Sequence, residues 1–333
     1  MSSIHDCRQQ WHRAEQFSWQ RLTLPTPFPV GPVNVYLLQA EPLTLIDTGP
    51  DTMEARSSLT AALNEIGFAP KDIEQVVITH GHSDHAGLAA WFQEMGADVL
   101  LHPLEAERLS GLDFWPTQRE HFRQLSVPEK LLDAAQILNR RMAAYRGDCL
   151  AGHRPLQEGD TLEFTSYCLS VLAVPGHCGG HLAFYQEKSG MLLAGDTLLK
   201  KISPYLLVEV HPTRPEERSR SLSQFLSTMD RLEKLPLKLV LTGHGEPLET
   251  PEARIAEIKS HHNRRLQRIR EILQSRGSCT PFELACQLYG RLSGWDMLLA
   301  VSDVSARLDW LVAHGVLAET ADYAGRLTYK PQF

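Results

Sequence analysis

Within the six residues His80-Gly81-His82-Ser83-Asp84-His85 the chain carries three imidazoles and a carboxylate. Four metal-competent side chains in one irregular turn exceed what a single ion can use, so they must divide between two. Alternate residues of an extended segment point the same way, which groups His80 with His82 and leaves Asp84 and His85 free to turn towards a second ion. Imidazole nitrogen with carboxylate oxygen suits zinc or another borderline first-row metal, and paired ions about 3.5–4 Å apart recur in hydrolytic sites. Three further candidates are His177 in Val174-Pro175-Gly176-His177, Asp196 in Leu193-Ala194-Gly195-Asp196-Thr197, and His244 in Val240-Leu241-Thr242-Gly243-His244-Gly245. Each directly follows an apolar run. A single histidine after a strand is ordinarily structural, but four strand ends loaded in the same way point to one shared site.

The surrounding pattern supplies those strands. Val33 to Leu38 and Leu43 to Ile46 read as strands, the second stopped at Asp47-Thr48-Gly49-Pro50, and Met53 to Ile66 has helical spacing closed by Gly67. The buried-strand run Val76 to Thr79 leads into the histidine block, then come a helix from about Ala86 to Met95 and the strand Asp98 to Leu101. Chemistry at the carboxyl ends of strands is the habit of α/β folds. Leu104 to Arg146 breaks the pattern with a mostly helical insert, about 104–148, rich in aromatic and basic residues. The β/α plan resumes at Asp160 to Phe164 and Leu169 to Val174. Two halves of similar plan suit a sheet-on-sheet sandwich with helices outside.

The block Thr79-His80-Gly81-His82-Ser83-Asp84-His85, followed by Pro-Gly-His, Gly-Asp and Gly-His-Gly, resembles the metallo-β-lactamase-fold hydrolases, in particular their glyoxalase II-like group, over about residues 17–248. The resemblance implies an α/β, four-layer αββα sandwich. It implies His80, His82 and His177 on one metal, Asp84, His85 and His244 on the other, and Asp196 bridging. Asp47 matches the family's early Asp-Thr-Gly and is implied to stand behind the ligands. Two Zn²⁺ are implied, with Fe or Mn as alternatives. A bridging hydroxide, available at neutral pH because two cations lower the water's pKa, then attacks a carbonyl or phosphoryl centre. Asp84 is the expected catalytic residue, orienting the nucleophile and passing on its proton.

Beyond Pro251 the chain reads as a basic helix to about Gln274, a second helix opened by the capping box Thr280-Pro281-Phe282-Glu283, a third from Ser302 to Gly315, and a hairpin turning at Tyr323-Ala324-Gly325. Three helices and a hairpin fit a winged-helix domain over 251–333, after a catalytic domain over 1–250. A metallo-β-lactamase domain with such a tail resembles the beta-lactamase-like protein 2 group, which includes a single-strand endoribonuclease and acyl-carrier-protein thioesterases.

Composition narrows the partners. The 333 residues are 43% hydrophobic and 22% charged, with a net charge of −7, which argues against indiscriminate coating of nucleic acid. Residues 1–250 hold 22 Lys+Arg against 31 Asp+Glu, and residues 251–333 hold 11 against 9. No run approaches the roughly 18–20 apolar residues of a membrane helix. Met1 to Trp19 is too polar for a signal peptide, so a cytoplasmic protein without a membrane partner is expected. The cysteines Cys7, Cys149, Cys168, Cys178, Cys279 and Cys286 form no Cys-x-x-Cys pair and read as reduced thiols.

These features favour a small-molecule thioester or ester as substrate, met by the insert through Tyr145 and Arg146 and by His181. The alternative is RNA gripped by Arg264, Arg265, Arg268 and Arg270. A third reading keeps the fold for a mononuclear iron persulfide dioxygenase, which the complete second ligand set, Asp84, His85 and His244, disfavours. The tail could also serve a homodimer or wall the substrate pocket. Cys178 reads as a plain thiol, His102 and His211 as loop residues, and His261 and His262 as solvated residues of the basic helix.

Overall fold

The computed structural model describes residues 11–14, 17–211 and 213–332. Most of the polar stretch before Trp19, with Cys7, lies outside the described residues. The first sheet runs in chain order through β1 (Trp11–Ala14), β2 (Phe17–Leu24), β3 (Val33–Leu38), β4 (Thr44–Ile46), β5 (Gln75–Val77), β6 (Asp98–Leu101) and β7 (Arg154–Pro155), antiparallel to β4 and parallel beyond it. The second is built from β8 (Thr161–Glu163), β9 (Cys168–Ala173), β10 (Leu182–Gln186) and β11 (Met191–Gly195). A small hairpin, β12 (Val210–His211) with β13 (Arg214–Arg218), comes before β14 (Leu239–Thr242), which joins the second sheet parallel to β11.

Both faces of these sheets are buried, so the strands read as continuous apolar runs, yet alternate residues serve different cores. In β3, Tyr36 and Leu38 face the second sheet, while Val35 and Leu37 face the helices. In β10, Leu182 and Phe184 meet the first sheet and Ala183 and Tyr185 turn outward. Helices α1 (Met53–Glu65), α2 (Ser83–Ala86) and α3 (Ala89–Glu94) lie within the outer core of the first sheet through Leu59, Leu63, Ala86 and Phe92. The result is helix, sheet, sheet, helix.

The insert folds as α4 (Pro103–Arg108), α5 (Trp115–Gln124) and α6 (Glu129–Ala143), and α7 (Ser221–Leu232) covers the second sheet. The tail consists of α8 (Pro251–Arg276), α9 (Pro281–Tyr289), α10 (Gly294–Ala313) and the hairpin of β15 (Leu317–Ala321) and β16 (Leu327–Pro331). The expected capping box is present at Thr280 and Glu283. Two boundaries differ from the reading above. The helix expected over Ala86 to Met95 is two short ones parted at Gly87-Leu88, where Leu88 N–H leaves the helical ladder to donate to Gly49 O at 3.2 Å and Thr48 Oγ1 at 3.1 Å. The third tail helix starts at Gly294 rather than Ser302, since Met297, Leu298 and Val301 extend the buried face of Val304, Leu308 and Leu311.

One buried cluster runs unbroken from Trp115 and Phe122 of the insert, through Phe225 of α7 and Ile258 and Ile269 of α8, to Tyr329 of the hairpin. Insert and tail therefore share a core with the outer face of the second sheet. Arg218 of β13 adds a polar clamp to the tail, donating to Tyr329 Oη at 3.0 Å and to Glu319 at 2.7 Å. Among the described residues no helix is long and apolar enough to cross a membrane.

Phe225 is fully buried, and its ring meets His262 of α8 edge-on at 5.4 Å. Phe225→Ala should lower unfolding stability by about 3–5 kcal/mol, read as a drop in the urea midpoint.

Candidate metal centre

Strand ends of both sheets converge at one edge of the sandwich, held by hydrogen bonds that cross between them. Asn34 N–H donates to Gly243 O at 2.7 Å, Tyr36 Oη to Thr242 O at 2.7 Å, and Leu182 N–H to Thr79 O at 2.8 Å. The first sheet brings His80, His82, Asp84 and His85, and the second brings His177, Asp196 and His244.

Their ligand atoms collect into three overlapping groups, each within 4.8 Å: His80, His82 and His177; His80, His85 and Asp196; and Asp84, His85 and His244. Asp196 Oδ2 lies 3.7 Å from both His177 Nε2 and His244 Nε2, between the first and last groups, while its Oδ1 is 3.4 Å from His85 Nε2. Asp84 Oδ2 is 3.4 Å from His244 Nε2.

Outer hydrogen bonds fix which nitrogen of each ring points inward. His177 Nδ1–H donates to Tyr205 O at 3.0 Å and His244 Nδ1–H to Pro32 O at 2.8 Å, since a carbonyl only accepts. His85 Nδ1–H donates to Asp47 Oδ2 at 2.8 Å. Thr79 Oγ1 gives its proton to the same carboxylate at 2.8 Å and so accepts from His80 Nδ1 at 3.0 Å. Asp47, buried and in the left-handed region at φ 60°, thus orients His85 directly and His80 through Thr79. The inward atoms His80 Nε2, His85 Nε2, His244 Nε2 and Asp196 Oδ1 are buried without a hydrogen-bond partner. Orphaned lone pairs of nitrogen and carboxylate oxygen converging on one space are a donor set that a divalent cation fits, and without one they would each carry a desolvation cost.

The electrostatics divide the site. Burial lowers the pKa of His80, His82 and His177, and neighbouring imidazoles lower His80 and His82 further. Burial, the largest single influence, opposes charge at His85 and His244 too, but the neighbouring carboxylates together outweigh it, Asp196 with Asp47 and Asp84 at His85 and Asp196 with Asp84 at His244, so these two are raised. The same pairings overcome burial at Asp84 and Asp196 and hold both carboxyls below the ordinary range. Three neutral imidazoles thus stand beside a half of the site that attracts positive charge.

The other residues singled out in the sequence fall around this centre. His181 is fully buried behind it; Nδ1 bonds Thr197 Oγ1 at 2.8 Å, Nε2 accepts from Asp196 N–H at 3.3 Å, and the ring packs on His80. That position does not fit the expected contact with substrate, because both nitrogens are committed. Tyr145 is half-buried and edge-on to Phe28 at 5.7 Å, and Arg146 follows it in the chain. Cys178 is buried against Glu105 and Glu209, and burial pushes its thiol pKa up. His102 caps α4, accepting from Leu104 N–H. His262 is buried against Arg307 and not solvated, and burial depresses its pKa to about 3. Sequence reasoning missed Glu105, Arg108 and Glu209, which lie under the ligand loops; Glu105 and Arg108 share one turn of α4, Glu209 is about a hundred residues further on, and the three belong to no motif.

The family model described as Metallo-beta-lactamase superfamily matches residues 28–244. The chain belongs to that superfamily and is a metal-dependent hydrolase. The "Probable metallo-hydrolase YqjP" of Bacillus subtilis (strain 168) is 32% identical over 314 residues, covering 92% of this chain and 96% of that protein. The solved structure of metallo-beta-lactamase family protein TTHA1429 from Thermus thermophilus superposes with a TM-score of 0.76 at 31% identity, covering 94% of this chain and 98% of that one. A hydroxyacylglutathione hydrolase of Cereibacter sphaeroides (strain ATCC 17025 / ATH 2.4.3) matches locally, 30% identical over 128 residues, which are 38% of this chain and 34% of that enzyme.

Gly243 shows how tightly the ligands are set. A Cβ there would collide with Asp196 Oδ1 and lie 2.7 Å from His85 Cε1. Gly243→Ala should therefore weaken metal binding by ~10-fold or more while the chain stays folded, measured by chelator competition alongside circular dichroism.

Proposed function

We propose that the protein is a dinuclear zinc hydrolase acting on a small-molecule thioester or ester. The observation that carries this is Asp196 Oδ2 at 3.7 Å from an inward nitrogen on either side, His177 and His244, with the unpartnered atoms of His80 and His85 facing the same space. His80, His82 and His177 would hold one ion and Asp84, His85 and His244 the other, with Asp196 between them. Bound there, the ions supply hydroxide at neutral pH and polarise the group under attack. Asp84, anionic at neutral pH because His85 and His244 outweigh its burial, orients the attacking water and accepts its proton.

The substrate class rests on the rim. Phe28 and Tyr145 meet edge-on, and Phe28 precedes by four residues the Pro32 carbonyl that holds His244. Ile202 and Tyr205 are 47% and 57% exposed, and the backbone of Tyr205 holds His177. These apolar surfaces offer contact to an acyl group. Arg146 makes no hydrogen bond or close ion pair among the described residues, with Asp113 as its one attractive charged neighbour. It shares Arg108 as a charged neighbour with His82, and it offers a cation to an anionic substituent. The local likeness to a hydroxyacylglutathione hydrolase supports a thioester.

Ribonuclease action fits less well. Arg265 is paired with Asp303, Arg268 with Glu271 and Lys259 with Asp230 and Glu233. Much of the basic charge of α8 is thus neutralised within the protein, and binding of phosphates depends on free cations.

Metal analysis of purified protein should give two zinc ions per chain, with turnover of acyl thioesters and short single-stranded RNA left intact. Salt-sensitive RNA cleavage overturns the substrate assignment, and one iron with oxygen uptake overturns the hydrolytic chemistry. Asp84→Ala should reduce kcat by about 10²–10⁴-fold; turnover retained at the wild-type rate removes Asp84 from the mechanism.

A further inference from the structure

The two loops that carry the first triad come from different sheets, His80-Gly81-His82 from one and His177-Cys178-Gly179-Gly180 from the other. A single carboxylate spans them. Glu105 of α4, 1% exposed, accepts Gly81 N–H at 2.9 Å on Oε2 and Gly180 N–H at 2.8 Å on Oε1. Both partners are glycines, and a Cβ at Gly180 would sit 2.8 Å from Oε1, so the close approach needs a residue without a side chain. Arg108, one turn further along α4, lies 3.4 Å from Glu105 Oε2 and 3.0 Å from Glu209 Oε2. Glu209 in turn accepts Gly179 N–H at 3.1 Å. A buried carboxylate–guanidinium–carboxylate array thus grips three backbone N–H groups of the ligand loops and touches no ligand side chain.

We propose that Glu105, held in place by Arg108, is a positioning residue that sets the distance of His177 from His80 and His82 and thereby the metal affinity of that triad. This rests on the reading that the triads hold metal ions. Buried charge of this kind is costly unless each oxygen is satisfied, and here both Glu105 oxygens are occupied by the loops to be joined. A glutamine cannot do the same. Its amide oxygen can accept one N–H, but its NH₂ end would face the other donor. An array that served only the fold would stabilise the protein with or without metal and would not discriminate between the triads.

The test is Glu105→Gln in the full-length protein. Apo-protein titrated with zinc against a chromophoric chelator should show one site weakened by about 10–100-fold, the usual consequence of losing a partner that orients ligands, and the other site unchanged. Cobalt(II) substitution should show altered d–d bands for the weakened site, with the unfolding midpoint of the apo-protein near wild type. Arg108→Lys keeps the charge but loses the guanidinium that reaches both acids, and should give a smaller loss at the same site. Equal binding by wild type and Glu105→Gln, or equal weakening of both sites with a lower apo midpoint, overturns the brace and leaves the functional reading standing. Wild-type protein that takes up no metal overturns both.

Discussion

Burying lone pairs and charges without water is the constraint on which the rest of this structure depends. Five imidazoles and two carboxylates face one space at the edge of the sandwich, and burial disfavours every charge among them. The fold answers in two ways. Each inward nitrogen of His80, His85, His177 and His244 is aimed by the hydrogen bond that its outer nitrogen donates, to Thr79 Oγ1, the Asp47 carboxylate and the carbonyls of Tyr205 and Pro32 respectively. The carboxylates are then placed so that Asp196 touches both halves of the site. Neither device involves exotic geometry. Both require that loops from two sheets be held in fixed relation, which explains the density of hydrogen bonds crossing between the sheets at this edge.

The ligands were legible in the sequence because they follow apolar strands and because metal chemistry uses few residue types. The position of Asp47 behind them was legible for the same reason, as part of a recognisable run. What supports the centre was not. Tyr205 and Pro32 act through backbone carbonyls, which have no residue signature, and Glu105 sits in an insert whose acids look interchangeable on paper. His181, expected to meet substrate from its place beside Gly179-Gly180, instead fills the space behind His80. Boundaries failed where tertiary packing overrode local signals, as in the third tail helix, expected from Ser302, which opens at Gly294 and whose buried face continues along most of its length.

Insert and tail are more closely bound to the catalytic sheets than a division of the chain at residue 250 implies. The cluster that begins at Trp115 ends at Tyr329, and helix α8 starts at Pro251, only seven residues beyond His244. Arg218 connects the hairpin of the second half to Glu319 and Tyr329 of the tail. Glu209, just before that hairpin, holds the loop after His177. Polar contacts therefore run from the tail to within two residues of His177, a candidate metal ligand.

The order of ligands along the chain also bears on how the centre comes into being. Four of its donors lie between residues 80 and 85, but the last, His244, is reached only after both sheets have been traversed. On a ribosome the first four donors emerge well before the last. The nascent chain would then display half a chelator, open to whatever ion is at hand. The complete set of donors is assembled only once β14 lies beside β11, so any choice among metals belongs to the finished fold.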